Sequence, residues 1–176
     1  MGHAISGLIA RREALAAFAS ESGLHAPATL AQGFAFLPLG ADHVDTLCER
    51  LPTGATGAAD PEGFGLLTAR FLDVLRGLTQ LGLFAYVETD YFGGEGDQGA
   101  LVIENGRVAQ DPARDSVGPI NDALRRIGVA RGADDPDAFD TVGLGAYRNN
   151  DNWSEAGAAA RSGATAAFTP SRSRPE

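Results

Sequence analysis

The chain has 176 residues, of which 44% are hydrophobic and 21% charged, enough for one globular domain that buries a core without disulfide or metal staples. Its net charge of -9 argues against a nucleic acid or an anionic membrane as partner, since both carry the same sign. Cys48 is the only cysteine, which excludes a disulfide framework and any site built from several thiolates.

All 14 basic residues are arginine, a bias expected of a GC-rich bacterial genome. The apolar stretch at residues 4–10 is too short to span a bilayer and is followed, not preceded, by Arg11 and Arg12. No targeting segment is therefore expected, and the reading is cytoplasmic. The first apolar run, residues 3–9, predicts a buried strand, and residues 11–22 predict a helix with Leu15 and Phe18 inward, ended by Gly23. Residues 26–39 read as two strands joined at Gly33. Asp42 is expected to cap a helix that turns Val44, Leu47, Cys48 and Leu51 to the core. A small-residue loop is expected over 52–59, and Asp60-Pro61 is then a strong start signal for a helix reaching Leu78.

Residues 83–92 predict a strand, residues 93–99 a glycine-rich turn, residues 100–103 a second strand, and Asn105-Gly106 a tight hairpin. Gly118-Pro119 opens a helix with Ile120, Leu124 and Ile127 inward, and Asp135-Pro136 opens a short one with Phe139 and Val142. From Glu155 onward the composition falls to Ala, Gly, Ser, Thr, Pro and Arg, and a disordered tail over 155–176 is expected after a single domain over 1–154. The element order implies an α+β fold, a mainly antiparallel sheet with helices packed on it.

Gly94-Glu95-Gly96-Asp97-Gln98-Gly99 matches the dinucleotide-binding fingerprint, but a strand follows where a helix N-terminus is needed, and Glu95 and Asp97 would repel a pyrophosphate. No cofactor is expected. Glu88, Asp90, Glu95 and Asp97 form an acidic run, with Tyr86, Glu88 and Asp90 on one strand face and Val87, Thr89 and Tyr91 on the other, where Tyr91 is expected in the core. The run reads as a solvated face, a contact surface for another protein, or a carboxylate pair for a hard metal or acid-base work. His3, His25 and His43 all lie in the first third of the chain, away from it in sequence. Cys48 reads as a buried small hydrophobe. Trp153 either packs the end of the fold onto its body or serves as a binding anchor.

The block Tyr86-Val87-Glu88-Thr89-Asp90-Tyr91-Phe92-Gly93-Gly94, continuing through Gly96 and Gln98 to Ala100, resembles one found in small uncharacterised bacterial proteins. Gly118-Pro119-Ile120-Asn121, Phe139-Asp140, Gly143-Leu144 and Tyr147-Arg148 are similar to later blocks of that group. The resemblance brings no activity and no catalytic residues. In size and acidity the chain is also similar to polymorphic-toxin immunity proteins. The expectation is a protein-binding domain without catalytic activity, immunity- or antitoxin-like, whose partner is another protein such as a basic toxin domain. Its contact residues would be Glu88, Asp90, Glu95, Asp97 and Trp153. The rival is a small enzyme or ligand-binding domain using the Glu88/Asp90 face and the glycine-rich loop.

Overall fold

The computed structural model describes residues 2–51 and 58–166, so the loop expected over 52–59 lies mostly outside the described residues. Six strands, β1 (His3–Arg11), β2 (Ala28–Thr29), β3 (Phe34–Pro38), β4 (Leu83–Phe92), β5 (Glu95–Glu104) and β6 (Arg107–Asp115), form one sheet in the order β2-β3-β1-β4-β5-β6. Every neighbouring pair of strands is antiparallel. The fold is α+β.

Helices cover both faces. On one lie α1 (Arg12–Glu21), α2 (Ala41–Arg50) and α3 (Ala69–Gly77), which meet Leu8, Ala35, Leu37, Phe84, Tyr86, Leu101 and Ile103 of the sheet. On the other lie α4 (Pro119–Arg126), α5 (Ala138–Val142) and α6 (Asn150–Ala166), over Ile5, Ile9, Phe36, Ala85, Val87, Ala100 and Val102. This double cover explains why Phe84-Ala85-Tyr86-Val87 and Ala100-Leu101-Val102-Ile103 are continuous apolar runs: neither face of the central strands meets water.

Three expectations are corrected, the third being the turn over 93–99. The helix predicted from Asp60 begins only at Ala69, where Thr68 Oγ1 accepts the Phe71 N–H at 3.1 Å. Gly63, with φ at +80°, breaks the intended first turn, and the backbone N–H groups of Gly65, Leu66 and Leu67 are drawn to the Glu88 carboxylate instead. Asp60 still serves the helix: it folds back to accept the Ala69 N–H at 2.7 Å. The segment expected to be a disordered tail from Glu155 continues α6 to Ala166, while residues 167–176 lie outside the described residues. Composition missed this because α6 is held at a few points. Trp153 is buried, and Gly157 lies so close to the Ala26 carbonyl that any side chain there would collide with it.

The turn expected over 93–99 is shorter than its glycine content suggests. Phe92 pairs with Glu95, leaving Gly93 and Gly94, at φ +66° and +92°, as a two-residue hairpin turn. Gly99 lies inside β5, where an added Cβ would come within 2.6 Å of the Phe64 ring. The fingerprint glycines thus turn a hairpin and admit a packed ring, and Gly96 and Gly99 lie within strand β5 with no helix after them.

Candidate functional site

The end of the sheet formed by β4, β5 and the start of β1 carries the polar side chains, and its two faces differ. Register fixes which residues share a face: Glu88 stands opposite Gly99, Asp90 opposite Asp97 and Phe92 opposite Glu95. These project to the side of α1–α3, and the side chains of Thr89, Tyr91, Gln98 and His3 project to the other.

On the first side the acidic run divides. Glu88 is 6% exposed. Its Oε1 accepts the N–H groups of Leu66 and Leu67, both at 3.0 Å, and the Tyr86 hydroxyl at 2.8 Å, while Oε2 accepts the Gly65 N–H at 2.6 Å. Arg114 lies 3.9 Å from Oε2. Burial, then the adjacent Glu88 charge, holds the Tyr86 phenol well above its ordinary range. Glu88 is therefore a clamp for the loop before α3 and is not available at the surface. Trp153, the other candidate that sequence left open, is also buried, against Phe36 and Tyr147. Asp90, Glu95 and Asp97 are exposed, and Phe92 among them is 83% exposed. Asp97 is met by Arg114 Nε at 3.8 Å.

The opposite side holds a polar cluster that sequence reading did not assemble. Thr89 Oγ1 accepts the Ile5 N–H at 3.0 Å and lies 2.8 Å from His3 Nδ1. Gln98 is buried, accepting the Ile120 N–H at 3.0 Å and donating to the Tyr91 hydroxyl at 3.0 Å; that hydroxyl donates to the Ser116 carbonyl. Tyr91, expected in the core, is half-buried because its ring borders a cavity. Asn121 of α4 accepts the Phe139 N–H at 2.9 Å and donates to Asp137 Oδ2 at 2.9 Å. Asp137 also caps α5 through Oδ1. His3, Thr89, Tyr91, Gln98, Val117, Asn121, Asp137 and Phe139 line an open cavity of about 280 Å³.

His3 is held below its ordinary range by burial and then by the Arg148 charge, and His25 by burial and then by His43, whose ring centroid is 5.0 Å away. A histidine whose folded pKa lies below its unfolded value contributes stability that is present above about pH 6.5 and lost as the pH falls through the folded value. Urea unfolding measured from pH 7.5 down to about pH 5 should therefore show stability declining, and His25→Gln should flatten that decline. A parallel decline in the variant would show that His25 does not carry the acid sensitivity.

Among the described residues no three His, Cys, Asp or Glu side chains are placed to hold a metal, and no helix is long and apolar enough to cross a membrane. Cys48 is buried on the core face of α2, and burial pushes its thiol up, with Arg70 opposing. No protein-family model, curated protein or solved structure matches the chain.

Proposed function

We propose that the chain is a protein-binding domain without catalytic activity, of the immunity or antitoxin type, which meets a basic partner through the open face of the β4–β5 hairpin end. The observation that carries this reading is the pairing of Asp90 directly against Asp97, next to Phe92 against Glu95, beyond the helical cover. Like charges opposed across strands destabilise a sheet, and a large aromatic exposed among them gains nothing from folding. Both features gain on association, since an exposed aromatic side chain is buried against a partner and acidic groups steer a basic one.

The test is the variant Asp90→Asn, Phe92→Ala, Glu95→Gln, Asp97→Asn. It should fold as the wild type does, while Asp90→Asn alone should raise the melting temperature by about 1–2 °C. Used as bait in the native host, the wild type should retain a basic protein at low salt and lose it as salt rises, whereas the fourfold variant should associate with the same purified protein at least about tenfold more slowly. Equal association rates at low ionic strength would remove the hairpin from the interface.

A further inference from the structure

We infer that the cavity on the opposite face of the hairpin end binds a neutral planar ring carrying a cis-amide edge, the N–H beside C=O of a uracil- or hypoxanthine-type base. The inference is independent of the protein-binding face, which lies on the other side of the sheet. Asn121 and Asp137 both line the cavity, and Asn121 Nδ2 lies 2.9 Å from Asp137 Oδ2. An amide nitrogen carries two N–H groups and a carboxylate oxygen two lone pairs, and this contact uses one of each. The remaining polar atoms of both side chains are tied to the backbone, Asn121 Oδ1 to the Phe139 N–H and Asp137 Oδ1 to the Asp140 N–H, both at 2.9 Å. The pair therefore keeps one spare donor beside one spare acceptor in a fixed orientation, the complement of a cis-amide edge.

The walls suit the same ligand. Phe139, Tyr91 and His3 supply rings around the cavity, with the His3 and Phe139 centroids 5.7 Å apart. Tyr91 is anchored by hydrogen bonds with Gln98 and with the Ser116 carbonyl. Aromatic walls with a few oriented polar groups bind flat heteroaromatic rings by stacking and fix them by hydrogen bonds. The Asp137 carboxylate disfavours an anionic ring and accepts an N–H.

The full chain should be titrated with uracil and with uracil methylated on both ring nitrogens, which keeps the ring but has no N–H. Uracil should move the amide resonances of Phe139 and Asp140 saturably, and the dimethyl form should bind about tenfold more weakly or less, the cost of one lost charge-assisted hydrogen bond. Asp137→Asn, which retains a cap for α5, should weaken uracil by a similar factor. Should that variant fail to fold, the two ligands compared on the wild type decide alone. No shift with uracil at millimolar concentration, or equal affinity for the two rings, overturns the assignment.

Discussion

Glu88→Ala should lower the stability of the chain by about 4 kcal/mol, the sum of a few lost hydrogen bonds to a buried charged acceptor and of the donors left behind. Its carboxylate accepts three consecutive backbone N–H groups and the Tyr86 hydroxyl. With a methyl in its place, those donors have no partner and the Arg114 guanidinium loses its buried counter-charge. Glu88→Gln should recover little, because one end of the amide must then present N–H groups to N–H donors. Tyr86→Phe removes a single hydrogen bond and should cost about 1 kcal/mol. The measurements are urea unfolding and amide exchange at residues 65–67, where protection should fall even under native conditions. A Glu88→Ala chain that keeps both its stability and that protection would show that the loop is held by Phe64 and Leu67 packing instead.

The same residue shows how far alternation along a strand can be read. Placing Tyr86, Glu88 and Asp90 on one face is correct, since the pleat has a period of two. Depth is a different quantity: along that face Tyr86 is fully buried, Glu88 nearly so and Asp90 exposed, because the cover from α3 and the loop before it ends between them. Where helical cover stops is decided by packing, which period does not encode. The Asp60-Pro61 signal failed for a related reason. Local start chemistry was present, but a carboxylate in a strand 21 to 23 positions later competed for the backbone N–H groups of residues 65–67.

Strands β1, β3, β4 and β5 and the helices α1, α2 and α4 were legible because each carries an apolar run or period ended by glycine or by a turn, whereas β6, RVAQDPARD, carries none. The cavity was not legible. His3, the Thr89–Gln98 hairpin faces, Asn121, and Asp137 with Phe139 come from four separate stretches that only the sheet order and the return of α4 and α5 bring together. A hairpin register counted outward from Gly93 and Gly94 would have placed Thr89 opposite Gln98 and Tyr91 beside them, which is the one signal the sequence carried.

Trp153→Ala should cost about 4 kcal/mol, and with it about 10 °C of melting temperature, as large-to-small changes at fully buried aromatic sites do. The indole is 2% exposed and packs edge-on to Phe36, with ring centroids 5.3 Å apart, and to Tyr147 at 4.9 Å. It is the largest apolar group that α6 contributes to the core beneath α4 and α5, and the rest of that helix offers mainly alanine and glycine. The start of α6 is fixed separately: Asn150 accepts the Ser6 N–H at 3.0 Å and donates to the Leu39 carbonyl at 3.1 Å. Truncating Trp153 should therefore leave the first turn attached while its remainder lifts from the sheet, so helical content should fall along with stability. Trp153→Phe separates packing from polarity. Trp153 Nε1 is buried without a hydrogen-bond partner among the described residues, so the phenyl ring loses some contact area but also removes an unpaired donor, and its cost should stay near 1 kcal/mol. If instead both variants keep wild-type stability and lose affinity for a captured partner, the indole leaves the core on binding and Trp153 is an anchor after all.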